Sequence, residues 1–185
     1  IALPLLGALI SGVVGKALGR ANVHLITCGA VFGSFLLSLL VFWTAADWNT
    51  VAQNAYGMAP VNYAVSGDLG TWFSAGDFRV TFGLFADHLS ATMLLVITGI
   101  GFLIHVYATS YMSHDAGYWR FFAYLNLFIA MMLTLVLADN LVLLFVGWEG
   151  VGLCSYLLIG YWYDDAQKAY AGRKAFIVNR IGDLG

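Results

Sequence analysis

Leu141-Val-Leu-Leu-Phe-Val-Gly-Trp-Glu-Gly-Val-Gly-Leu-Cys-Ser-Tyr-Leu-Leu-Ile-Gly-Tyr-Trp-Tyr163 is apolar and carries a single charge, Glu149, the only glutamate in the chain. Such a run can cross a bilayer, because about 20 apolar residues rising ~1.5 Å each span the ~30 Å hydrocarbon core. Glu149 lies three residues from the midpoint of 141–163, about 4.5 Å from the bilayer centre by helical rise. A carboxylate there costs roughly 2.5–3.5 kcal/mol on insertion scales. A cationic partner, internal water or a proton that comes and goes must offset that cost.

Working outward, the whole chain reads as membrane. Of its 185 residues, 61% are hydrophobic and 10% charged, against about 25% charged in soluble domains. A net charge of -2 argues against a nucleic-acid binder, which would show a basic stripe. Cys28 and Cys154 fall in apolar runs without metal-ligand spacing and read as buried space-fillers. There is no glycine-rich nucleotide loop, HExxH, CxxC or nucleophile elbow. The chain begins without methionine, and its last apolar stretch stops at Gly185. It therefore reads as the N-terminal fragment of a longer protein.

The expected fold is an all-α polytopic membrane protein of about six transmembrane helices with a small β-hairpin in an external loop. Residues 1–45 hold the first two helices, 1–15 and 23–45, joined at Lys16 and Arg20. Trp43 and Trp48 form an interfacial pair. Residues 46–83 form the external loop, in which Thr71 to Phe82 reads as a hairpin. Gly76-Asp77 supplies its turn, and Phe78, Val80 and Phe82 make an apolar face against the membrane domain. Residues 84–163 hold helices three to five (84–111, 119–138 and 141–163), with Asp139 as a cap. Residues 164–172 read as a polar cytoplasmic loop, and 173–185 as the truncated start of a sixth span. Lys16, Arg20, Arg120, Lys168, Arg173 and Lys174 fall on one side and only Arg79 on the other. The asymmetry puts the N-terminus and the 46–83 loop outside, and the basic turns in the cytoplasm or matrix.

No residue one turn from Glu149 on its own helix can pair with it. Gly147, Gly150 and Cys154 suit close packing against another helix, so the partner must come from elsewhere. The bland reading is a structural ion pair or a permanently protonated carboxyl; the sharper one is a proton-relay site. Arg180 and Asp183 sit three residues apart, deep in the last segment. They either neutralise each other, or Arg180 tunes Asp183 or Glu149 by its field. His105 is a packed histidine or a proton donor at the mouth of a path. Lys174 satisfies the positive-inside rule and could feed protons.

Four stretches together resemble a known family: Gly101-Phe-Leu-Ile-His-Val-Tyr107, Arg120-Phe-Phe-Ala-Tyr-Leu-Asn-Leu-Phe128, Ala138-Asp-Asn-Leu-Val142, and the Trp-Glu motif Gly147 to Gly160. They look like the antiporter-like subunit L, or chain 5, of NADH–quinone oxidoreductase, respiratory complex I. Lys174-Ala-Phe-Ile-Val-Asn-Arg-Ile-Gly-Asp183 adds to the match and leans away from the large subunit of Mrp-type sodium/proton antiporters, which is the alternative. The resemblance covers about 70–185.

The resemblance implies a proton-translocating subunit driven by NADH oxidation and quinone reduction in other subunits. It implies that Glu149 pairs with a seventh-helix lysine beyond Gly185, and that Asp183 and Arg180 serve coupling. It implies no cofactor in this chain, with NADH, flavin, iron–sulfur clusters and quinone in partner subunits. The expected partners are other membrane subunits, including an adjacent antiporter-like one, the lipid bilayer and protons. The expected location is the bacterial inner membrane ahead of the mitochondrial one.

Overall fold

The structure is a computed structural model that describes residues 1–45, 65–76 and 78–183. The remainder of the expected external loop (46–64), Trp48 of the aromatic pair, turn residue Asp77 and residues 184–185 lie outside the described residues.

One helical run over Ala2–Ala45 is broken at Gly19, whose φ of 77° and ψ of 163° leave the helical region. A left-handed φ favours glycine, which has no Cβ to clash. The break gives α1 (2–18) and α2 (20–45). They fold back on each other: a Cβ on Gly7 would lie 3.2 Å from the Ala30 methyl, and one on Gly33 3.2 Å from Leu3. The helices therefore extend further toward the turn than the expected 1–15 and 23–45.

β1 (Val65–Ala75) and β2 (Phe78–Ala86) pair antiparallel. Gly76 takes a φ of 61° at the turn. The hairpin is longer than expected, and Leu84–Ala86 belong to β2 rather than to the third helix. The expected alternation stops at Val80. Val80, Gly83 and Ala86 are buried, while Phe82 turns outward and stacks on Trp72 at 4.9 Å. Register shifts on the strand opposite disturb the two-residue period.

α3 (His88–Tyr111) starts at Asp87, whose carboxylate accepts the Ser90 N–H at 2.7 Å. α4 spans Tyr118–Leu137 and α5 Leu141–Ile159. The α5 cap is Asn140, which accepts the Leu143 N–H at 2.9 Å. Asp139, the expected cap, instead accepts from Asn140 Nδ2 at 2.6 Å. α5 ends four residues short of Tyr163, because Gly160 closes its last turn. α6 (Ala166–Asp183) begins seven residues before the expected Arg173. Asp165 accepts the Gln167 N–H at 2.9 Å and caps a helix that its polar sequence had hidden.

Four helical stretches are long and apolar enough to span a membrane: Ala2–Thr44, His88–Tyr111, Tyr118–Leu137 and Leu141–Ile159. Gly19 folds the first into two. α6 falls short of that standard among the described residues, since its first half is polar. Val13, Leu25, Leu40, Leu103 and Leu141 are exposed, as side chains facing lipid tails would be.

Two glycines set the α4–α5 contact. A Cβ on Gly147 would lie 2.5 Å from the Leu135 amide nitrogen, and one on Gly150 2.5 Å from Met131 Sδ. Cys154 is buried on the same stripe. The small residues around Glu149 thus pack on α4, as the spacing predicts. The two ends of the bundle also sort as the charge asymmetry predicts. Arg20 bonds the Ser113 and Asp115 carbonyls at one end. At the other, Asn140 Nδ2 donates to Thr81 O at 2.9 Å.

Candidate functional site

The observed span of α5 puts Glu149 one residue from its midpoint, Gly150, closer to the bilayer centre than 141–163 implied. Gly147 and Gly150 turn toward α4, which leaves Glu149 directed at α6. There Arg180 Nη1 forms an ion pair with Glu149 Oε2. Glu149 is 15% exposed and Arg180 40%. Oε1 of Glu149 is buried with no hydrogen-bond partner among the described residues.

Among the described residues Glu149 pairs with Arg180, which decides between the two readings of Arg180; the seventh-helix lysine implied by the resemblance lies outside this sequence. Arg180 is not held by Asp183, although the three-residue spacing permits it. Asp183 Oδ1 instead accepts the indole N–H of Trp148 at 2.6 Å. The antiparallel run of α5 and α6 explains both contacts. Tyr156 packs on Phe176 at 5.5 Å, and Gly172 admits the backbone of Gly160. The same alignment carries residues 148–149 to 180–183. Two crossed contacts result, one between unlike charges and one from a neutral donor to a carboxylate.

A cleft of about 560 Å³ opens beside the Trp148–Asp183 contact. Ser155, Asn179, Asp183 and Trp148 line it with Met132 and Gly152. Its polar groups can hold water within proton-transfer reach of Asp183. Trp148 is the member that sequence reasoning missed. The signal was the indole N–H itself, a lone donor in an apolar segment that seeks an acceptor once lipid surrounds it.

His105 stands apart from this site. It is 1% exposed, inside the bundle of α2, α3 and α4 rather than at the mouth of a path. Nδ1 lies 2.7 Å from Gly101 O and must donate to it; Nε2 lies 3.0 Å from Asn126 Nδ2 and accepts from it. The neutral Nδ1–H tautomer satisfies both. Asn126 is fully buried and was also missed; its signal was a lone amide in the apolar run of α4. The His105–Asn126 contact and the Glu149 site fall on different faces of α4. Lys174 is exposed, six residues and about 9 Å of helical rise from Arg180, and is not brought to the pair.

At the basic end, Asp115 accepts from Tyr161 Oη at 2.7 Å, Trp162 Nε1 at 3.0 Å and the Gly117 N–H at 2.7 Å. Burial alone would raise its carboxyl pKa, but those donors and the Arg120 charge outweigh it and hold it below the usual range. Burial, reinforced by Asp115, pushes the Tyr161 phenol up. Arg120 lies 4.9 Å from the Tyr161 ring centroid and 4.8 Å from that of Tyr163. This clasp ties the α3–α4 turn to the end of α5.

Two family models match the chain. One is described as NADH-ubiquinone oxidoreductase (complex I), chain 5 N-terminus, over residues 72–122; the other as NADH:quinone oxidoreductase/Mrp antiporter, TM, over 138–185. NADH-quinone oxidoreductase subunit L of Escherichia coli K12 is 46% identical over 184 residues, covering 100% of this chain and 28% of that protein. NAD(P)H-quinone oxidoreductase chain 5 of Synechocystis is 44% identical, covering 99% of this chain and 26% of that protein. The chain thus spans little more than a quarter of the length of these curated relatives. Among solved structures, an Mrp complex from Dietzia is similar at 28% identity and a TM-score of 0.62, over 85% of this chain and 15% of that one. An archaeal membrane-bound sulfane sulfur reductase shares the fold at 20% identity and a TM-score of 0.69, over 98% of this chain and 33% of that one. The Trp148-Glu149 motif and the α6 sequence through Asp183 both fall within the second matched region. The chain belongs to the family of the antiporter-like subunit L, or chain 5, of NADH–quinone oxidoreductase.

Proposed function

We propose that the protein carrying this sequence is a proton-translocating subunit of an NADH–quinone oxidoreductase in a bacterial inner membrane. The observation that carries the reading is the Glu149–Arg180 ion pair at the middle of a membrane-spanning helix. Arg180 stands between two carboxylates, one in hand and one a single turn further along its own helix. While Arg180 pairs with Glu149, the carboxylate stays ionised, because a nearby cation favours the charged form. When Arg180 moves toward Asp183, Glu149 is left buried without a counter-charge and takes up a proton. Its return expels that proton. Opening and closing of one ion pair therefore changes the protonation of a mid-membrane carboxyl. The cleft beside Asp183, apolar in most of its lining but carrying Ser155 and Asn179, would admit water to that carboxylate.

In this reading NADH, flavin, iron–sulfur clusters and quinone act in partner subunits, and an adjacent antiporter-like subunit lies alongside. The role of Lys174 is to supply protons from the basic side. The test is Glu149→Gln in the assembled complex, with proton uptake into vesicles measured during NADH oxidation. Pumping should fall while assembly persists.

A second reading, the large subunit of an Mrp-type sodium/proton antiporter, draws on the similarity to the Dietzia complex and on the shared family model. It requires ion exchange driven by a gradient alone. Assaying vesicles with and without NADH and quinone separates the two.

A further inference from the structure

We infer that the turn between α1 and α2 forms, with the start of α4, a binding site for the phosphodiester headgroup of an anionic phospholipid. A cavity of about 150 Å³ lies there, lined by Gly15, Lys16, Gly19, Arg20, Tyr118 and Trp119 among others. Its shape follows from the two glycines. A Cβ on Gly15 would stand 2.8 Å from Trp119 Cβ, so only glycine lets α1 and α4 meet at the cavity's wall. Gly19 breaks the helix and brings Lys16 and Arg20 to the same rim.

The only charged residues lining the cavity are the cations Lys16 and Arg20. Arg20 uses Nη1 and Nη2 for the carbonyls of Ser113 and Asp115, which fixes the guanidinium. A guanidinium has five N–H donors, so some remain for a ligand. Lys16 is exposed beside it. The nearest carboxylate, Asp115, is turned away, since Tyr161, Trp162 and the Gly117 N–H occupy its oxygens. Gly117, the N-cap of α4, offers no side-chain cap, so the positive end of that helix dipole adds to the two cations.

The location selects a lipid rather than a free anion. The site lies on the basic side of the bundle, at the level where Tyr118 and Trp119 start α4. Directly toward the bilayer from Lys16, Val13 is 80% exposed and Val14 45%. That wall takes acyl chains under a phosphate held by Lys16 and Arg20. Basic pockets between transmembrane helices on the cytoplasmic side recognise anionic headgroups.

The test uses the full-length protein in its assembled complex, reconstituted in nanodiscs of phosphatidylcholine with and without phosphatidylglycerol, with retained lipid read by native mass spectrometry. The structure predicts selective retention of phosphatidylglycerol. Each basic group near an anionic surface contributes about 1 kcal/mol, so Lys16→Gln should lower retention about fivefold. Lys16→Arg should keep it, and so should Lys168→Gln, which removes a charge elsewhere on the same side. Excess inorganic phosphate should leave the bound lipid in place. Equal retention by wild type and Lys16→Gln would overturn the assignment, as would an equal loss in Lys168→Gln. Displacement by inorganic phosphate would show a site for a free anion instead. None of these readouts depends on proton pumping, so the lipid site and the translocation proposal fail independently.

Discussion

Arg180 on α6 pairs with Glu149 on α5 and not with Asp183, its neighbour one turn away on the same helix. The preference follows from helix alignment. α5 and α6 run antiparallel, so the mid-membrane carboxylate meets the guanidinium while the Trp148 indole takes Asp183. The pair should therefore behave as one energetic unit. Glu149→Gln and Arg180→Gln should each destabilise the complex, and the double variant should cost less than their sum. Contacting residues couple by roughly 0.5–3 kcal/mol. With Arg180 40% exposed, the coupling should fall in the lower half of that range. A thermal-denaturation double-mutant cycle measures it, and additive losses would mean the pair is not formed.

Trp148→Phe keeps the ring and removes the donor to Asp183. Hydrogen bonds to charged groups contribute about 1.5–3 kcal/mol. Because the bond is exposed, the variant should lose no more than the low end of that range, and it should also free Asp183 to compete for Arg180. The Glu149 carbonyl band in infrared difference spectra should then grow as Glu149 becomes protonated. An unchanged band would separate Trp148 from the pair.

Much of this arrangement was legible in the residues. The apolar runs marked the spans, the sole glutamate marked the ionisable group inside α5, and the six-to-one Lys/Arg asymmetry matches how the two ends of the bundle assemble. What was hidden depended on contacts between distant segments. The start of α6 looked like a loop because its first half is polar, and only the Asp165 cap reveals it. The three-residue spacing leaves Arg180 open to Asp183 or Glu149, and the α5–α6 alignment that decides between them is not visible in a sequence. Asn126 and His105 meet across 21 residues and two helices, which no local pattern reports.

The His105–Asn126 contact should prove structural. Asn126→Leu would strand the His105 ring nitrogen in the core at a cost of about 1–3 kcal/mol, and His105→Leu would strand the amide. Replacing both with leucine should recover part of that loss. Assembled His105 variants should pump normally. A large loss of pumping per NADH in a fully assembled His105→Gln complex would return this residue to the proton path.

The Asp115 clasp makes a pH-dependent contribution. Its carboxyl is held below the usual range, so its stabilisation is complete above the unfolded value of about 3.9 and is lost as pH falls through the lower folded value. Asp115→Asn should lower the melting temperature at neutral pH. The gap to wild type should close as the pH drops below about 4. A gap that is constant with pH would mean the carboxylate charge plays no part.

In the proposed function Glu149 carries protons by making and breaking its pair with Arg180. The most direct measurement is the proton-to-NADH ratio of the assembled Glu149→Gln complex in sealed vesicles, beside Glu149→Asp. Positioned proton-transfer groups contribute roughly 10²–10⁴-fold. Pumping routed through this subunit should fall at least about tenfold in the glutamine variant, with a milder loss in the aspartate variant. An undiminished ratio in a correctly assembled Glu149→Gln complex would contradict the proposal.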